Sequence, residues 1–123
     1  MFTTTDAHAI LNAGRGTPYP AWSPHFCAFT ANPTDAGTLT SELTGGGYAR
    51  QPVTLAAPAS KATSNTAQVA FNATAGTVIT HIGLADALTA GTLRRYVQLA
   101  QSVTVGTSGQ VTIATNQLTD TLA

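Results

Sequence analysis

Three histidines, five carboxylates and one thiol are the side chains of this sequence best suited to chemistry: His8, His25, His81, Asp6, Asp35, Glu42, Asp86, Asp120 and Cys27. No two histidines stand at the separation of an H-x-x-x-H metal motif. The carboxylates are scattered, with no close pair of the kind that glycoside hydrolysis uses. There is no G-x-S-x-G elbow and no P-loop. His81 and Asp86 form the nearest acid–base couple, a base oriented by a carboxylate. No nucleophile accompanies them. A hydrogen-bonded histidine on a strand face, with Asp86 capping the turn Ala85-Asp86-Ala87, accounts for the same residues more simply. The lone Cys27 has no disulfide partner and sits in the apolar run His25-Phe26-Cys27-Ala28-Phe29, where a buried, inert thiol is expected. These residues predict a non-enzyme with no cofactor and no metal.

Binding motifs are equally sparse. Gly14-Arg15-Gly16 and Gly45-Gly46-Gly47 do not stand between a strand and a helix, so they read as turns and not phosphate loops. Arg94-Arg95 is the one adjacent basic pair and reads as a solvated strand or turn feature. Nucleic acid is therefore not an expected partner, since it needs clustered Lys and Arg. No apolar run approaches the roughly 20 residues of a membrane span, so no membrane association is expected. The start Met1-Phe2-Thr3-Thr4-Thr5-Asp6 lacks the basic and apolar regions of a secretory signal, which predicts synthesis in the cytoplasm. Without that signal, the glycosylation pattern Asn72-Ala73-Thr74 has no consequence.

The elements that must carry these residues are set by composition first. At 123 residues the chain suits one core and is long enough to fold without disulfides or metal. Only 8% of residues are charged, five basic against five acidic, where about 25% is usual. The surface must then consist mainly of Thr, Ser, Asn, Gln and Ala. Such a surface has little electrostatic reason to stay apart from its neighbours. It is not a disordered composition, which combines low hydrophobicity with high net charge.

Along the chain, residues 5–13 predict a helix capped by Thr5 or Asp6 and ended by Gly14 or Gly16. Residues 14–24, with Pro18, Pro20 and Pro24, predict an extended arm that docks through Tyr19 and Trp22. The organisation expected is residues 1–24 as helix and Pro/Gly arm and residues 25–123 as a β-sandwich domain. Strands are expected over 25–30, 48–55 (at an edge or bulge because of Pro52), 66–71, 77–84, 93–99 and 118–122. Residues 101–105 and 110–114 predict a hairpin around Gly106-Thr107-Ser108-Gly109, and 56–64 a loop. In 77–84, Val78, Thr80, Ile82 and Leu84 fall on one face. In 93–99, Leu93, Arg95, Val97 and Leu99 do so. Many short strands with regular turns give an all-β fold, a β-sandwich or jelly-roll-like body with a short N-terminal helix. A sheet edge without charge is a site for pairing with another chain.

Three stretches in register then carry a resemblance: Phe29-Thr30-Ala31-Asn32-Pro33-Thr34-Asp35-Ala36-Gly37, Gly45-Gly46-Gly47-Tyr48-Ala49-Arg50-Gln51-Pro52-Val53 and Thr80-His81-Ile82-Gly83-Leu84-Ala85-Asp86-Ala87. Together, over roughly residues 5–122, they resemble a family of small tailed-bacteriophage virion proteins often labelled tail fibre or minor tail protein. The sequence departs from that pattern at Leu93-Arg94-Arg95-Tyr96, where a more apolar strand is expected. The resemblance implies a non-catalytic accessory tail protein of the virion, made in the host cytoplasm. Its expected partners are other copies of itself, with a trimer a fitting number, and other tail or capsid proteins. Trp22, Tyr48, Arg50, His81 and Asp86 are the structural and assembly candidates. Tyr48 and Arg50 share a strand face, and Arg50 is expected to bond a turn carboxylate such as Asp35 or Asp86. Gly83 is expected to permit a close approach of another strand or ring. Two alternatives stand beside this reading. One is a capsid decoration protein clamped by the 14–24 arm. The other is a carbohydrate-binding β-sandwich module that stacks sugars on Trp22, Tyr19, Tyr48 or Tyr96, with a host surface glycan as its partner.

Overall fold

A computed structural model describes residues 1–121. The first ordered turn begins at Thr3, whose backbone is extended and whose side-chain oxygen accepts the Asp6 amide at 3.4 Å. The cap is thus Thr3, ahead of the Thr5 or Asp6 expected, because the Thr3 hydroxyl also donates to the Leu93 carbonyl at 2.7 Å and ties the helix start to the sheet. Helix α1 (Thr4–Ala13) is followed by strands β1 (His25–Phe29), β2 (Gln51–Pro52), β3 (Ala62–Ser64), β4 (Val69–Asn72), β5 (Val78–Ala85), β6 (Leu93–Thr104), β7 (Gln110–Ile113) and β8 (Thr119–Thr121). The fold is all-β apart from α1. Leu122, the last residue of the expected strand 118–122, lies outside the described residues.

A four-stranded antiparallel sheet in the order β2-β1-β5-β6 forms one layer. Two antiparallel ribbons, β4–β7 and β3–β8, accompany it. In β1, Phe26 and Ala28 pair with Leu84 and Ile82 and join a core with Val69 and Phe71 of β4 and with Leu118. The Phe26 and Phe71 rings stand 5.4 Å apart. Cys27 and Phe29 enter a second core with Ala85, Leu93 and Tyr96. β1 is therefore buried on both faces, which is why its run is apolar throughout and does not alternate. Asn65, wholly buried, ties the two ribbons together. Its amide nitrogen donates to the carbonyls of Ala67 and Ala114, and its oxygen accepts from the Leu118 amide at 3.0 Å.

Register irregularities rearrange two of the expected faces. Between Leu84↔Arg95 and Ala85↔Leu93 the partner strand carries one extra residue, Arg94. This bulge puts Leu93 in the second core with Tyr96, off the face that Arg95 and Val97 share. A further shift between Ile79 and His81 accompanies the entry of Ile79 into the core beside Leu84, while Val78 is exposed. The expected 101–105/110–114 hairpin does not form. Residues 103 and 104 continue β6 against β5, whereas β7 pairs with β4, so the Gly106–Gly109 turn crosses between layers. The expected 48–55 strand shrinks to β2 at the sheet edge, where Pro52 needs no ladder partner for its missing N–H. The 56–64 loop ends in a short strand, β3.

Gly83 does admit a close approach. A Cβ there would stand 2.6 Å from the Arg95 carbonyl oxygen and 2.8 Å from Leu93 Cδ1.

Candidate functional site

Two ionic clasps hold the loops to this frame. The first grows from the glycine turn. Gly45, Gly46 and Gly47 all have positive φ, and the Gly46 α-carbon packs so tightly on the Thr74 amide that a Cβ would lie 2.4 Å from its nitrogen. The turn delivers Tyr48 and Arg50 to one carboxylate, Glu42. Arg50 donates through Nε and Nη2 to both Glu42 oxygens at 2.7 Å. Its Nη1 donates to the carbonyls of Ala87 and Ala90 at 2.8 and 2.7 Å. Tyr48 donates to Glu42 Oε2 at 2.7 Å and accepts from the Ala28 amide at 3.2 Å. The expected partners of Arg50, Asp35 or Asp86, are thus replaced by Glu42. The guanidinium reaches the loop after β5 through carbonyls, because this fork geometry suits a bidentate carboxylate on one side and two oxygens on the other.

This clasp is desolvated. Burial, and then the hydrogen bond to Glu42, push the Tyr48 phenol well above its ordinary range. Bonding to Glu42 holds the Arg50 guanidinium still higher than usual. Burial, aided by the Glu42 charge, pushes the nearby Cys27 thiol up to about 12. Such a thiol is protonated and inert at neutral pH.

The second clasp centres on Asp6, fully buried on α1. Tyr19 donates to Asp6 Oδ1, and Trp22 Nε1 donates to the Tyr19 hydroxyl at 2.8 Å. Arg95 Nε donates to Asp6 Oδ2 at 3.1 Å, and Arg94 Nη1 lies 3.6 Å from Asp6 Oδ1. Strict alternation would send two consecutive arginines to opposite faces; the bulge at Arg94 lets both reach one carboxylate. Arg94 also donates to Asp86 at 3.2 Å, and Arg95 to Asp120 of β8. Both guanidinium groups lie over the Trp22 ring, at 6.0 and 5.9 Å, and that of Arg95 lies 4.8 Å from the Phe2 centroid. Burial first, then its bond to Asp6, raises the Tyr19 phenol above its ordinary range. Beside this clasp, Tyr96 donates to Asp35, and that bond pushes its phenol up to about 12.

The five candidates from the sequence are therefore divided. Tyr48 and Arg50 meet on Glu42. Trp22 and Asp86 meet through Arg94. Asp86 also spans its turn by accepting the Thr92 amide at 2.7 Å. His81 stands apart, buried, with Nδ1 2.8 Å from the Thr80 hydroxyl. It is not brought to Asp86. Sequence reasoning passed over Asp6, Glu42 and Asp120, and set Arg94-Arg95 aside as solvated. One signal pointed to them: a chain with equal and very small numbers of acids and bases has every reason to pair them.

The arrangement holds chain segments together and leaves no side-chain carboxylate idle among the described residues. Asp6, Glu42, Asp86 and Asp120 lie in ion pairs and Asp35 accepts from Tyr96. Among the described residues no three His, Cys, Asp or Glu side chains gather as metal ligands would, and no helix is long and apolar enough to cross a membrane. The family model described as Podophage GP4 fiber I protein gp80 matches residues 1–121. The chain belongs to this podophage fibre family. No curated protein matches it. A fibre-family protein is a structural part of the phage tail.

Proposed function

We propose that this fibre-family protein is a non-catalytic accessory subunit of the virion tail, joined to copies of itself and to other tail proteins through uncharged β surfaces. One observation carries the reading: the charges are spent inside the molecule. All five carboxylates are engaged internally, and Arg15 and Lys61 are the side-chain cations without a carboxylate partner among the described residues. Apart from Arg15, Asp35, Lys61 and a few apolar side chains such as Leu11 and Val103, what faces outward is mainly Thr, Ser, Ala, Gln and Asn, a surface with little to repel a neighbour. The aromatic side chains that a sugar would need are committed as well. The polar tips of Tyr19, Trp22, Tyr48 and Tyr96 are all bonded within the chain, which favours docking roles over sugar stacking.

A cryo-EM map of the particle, or gold-labelled antibody on intact virions, tests the reading. Density or label on the tail is expected. Label confined to the head, or absent from purified particles, would overturn it.

A further inference from the structure

The uncharged surface has one place where it is also apolar and unfinished. Residues 1–3 run antiparallel to the start of β6: Thr3 donates to the Arg94 carbonyl at 3.1 Å and Tyr96 to the Met1 carbonyl at 2.9 Å. That cover ends at Tyr96. From Val97 to Thr104 the outer edge of β6 has no further backbone partner among the described residues. Beside it, the sheet and the β4–β7 ribbon part to leave a cleft of about 490 Å³, lined by Ile79, Leu99, Val103, Val111 and Ile113 and floored by Phe26 and Phe71. No charged side chain lines it. Val103 is 41% exposed at the cleft; along the same strand Val97 is 46% exposed, and Val78, paired with Thr104, is 43% exposed.

We propose that a second copy of this chain docks on the β6 edge from Val97 to Thr104 and closes this cleft. The inference rests on the tail-subunit reading and names its contact face. Three observations select the occupant. From Val97 to Thr119 the sequence holds no charged residue, so a partner with charges would leave them unmatched there. A copy of this chain, presenting the same uncharged stretch from Val97 to Thr119, would not. The bridge from Phe2 to Arg95 shows that this edge accepts an antiparallel partner, and the open stretch follows on from it, interrupted where Leu99–Ser102 bulge between the pairs Gln98↔His81 and Val103↔Ile79. The opposite edge of the sheet, β2, is two residues long and ends in Pro52, so growth of the sheet is directed to β6.

The test is the mass of the full-length protein in solution, by light scattering and native mass spectrometry, for the wild type, Val103→Glu and Leu11→Glu. Leu11 is 69% exposed on α1 and lies outside the cleft, so it controls for adding the same charge elsewhere. An oligomeric wild type is expected, with Leu11→Glu unchanged and Val103→Glu dissociating at least about tenfold more readily while keeping its β-type circular dichroism. Should Val103→Glu misfold, Val97→Glu replaces it. A wild type that stays a single copy at all concentrations, or a Val103→Glu or Val97→Glu variant that associates as the wild type does, would overturn the interface. So would a single copy that fills the cleft with a small apolar probe such as an anilinonaphthalene dye. Particle incorporation keeps the two readings apart. A single-copy protein found on the tail sinks the interface alone, whereas an oligomer absent from particles sinks the tail reading alone.

Discussion

Replacing Arg50 with Met removes one fork of donors and leaves several groups stranded. Glu42, whose side chain is 13% exposed, keeps its charge but loses both bonds from the guanidinium. The Ala87 and Ala90 carbonyls lose their donor. Removing one partner of a buried ion pair costs about 3–5 kcal/mol, chiefly because the other charge stays behind unsolvated. For a domain of this length each 1 kcal/mol moves the melting temperature by about 4 °C, so a drop of roughly 12–20 °C is expected. The stranded charge, not the lost packing, is the cause in this account. Arg50→Met combined with Glu42→Gln should therefore recover at least half of the loss, since glutamine is neutral and its oxygen still accepts from Tyr48. Thermal and urea unfolding of the two single variants and the double variant measure this directly. A single variant within about 1 kcal/mol of wild type, or a double variant no better than Arg50→Met, would refute the reasoning.

Alkali should unfold the protein in a defined window. Tyr96 is raised from 10.0 to about 12 and Cys27 from 9.0 to about 12, so above pH 9.0 the unfolded chain releases protons that the folded one retains. Their stabilisation is complete below pH 9.0 and is lost as pH rises towards about 12; a urea midpoint that stays flat across that window would contradict it. Asp6→Asn should loosen the arm, with cleavage by added protease between residues 14 and 24 accelerated at least about fivefold, near 1 kcal/mol. Gly83→Ala drives a Cβ to within 2.6 Å of the Arg95 carbonyl and should cost about 1–3 kcal/mol in urea unfolding. Gly106→Ala, with open space around it, should not. Asn65→Ala should cost a similar amount by leaving the Leu118 amide and two carbonyls without partners.

Local chemistry carried much of the fold into the sequence. The β1 run, the helix, the edge position implied by Pro52 and the crowding at Gly83 all follow from residue types whose conformational needs act within a few positions. What failed to show depends on partners distant in the chain. The Gly106–Gly109 turn looks like a hairpin in isolation, and only the pairing of β7 with β4 makes it a crossover. Strict alternation assigned Leu93 and Arg95 to one face because a bulge leaves no mark in side-chain identity. The same limit hid the clasps. Tyr48 and Arg50 are visible as neighbours on a segment, but Glu42 is chosen as their common acceptor by the return path of the chain. The Asp6–Arg95 bond joins residues far apart in sequence. His81 and Asp86 illustrate the converse: nearness in sequence along an extended segment separates two side chains more than it unites them.

The extra residue at Arg94 also constrains how this sequence can drift. A neighbouring loop could lose or gain a residue with little effect, but dropping a single codon at Arg94 would straighten the ladder. Asp6 would then lose one of its two guanidinium groups, and Asp86 its ionic partner. Homologous chains that keep the buried helix aspartate should therefore keep the spacing of the two arginines as strictly as their identity, and those that lose one should shed the others together.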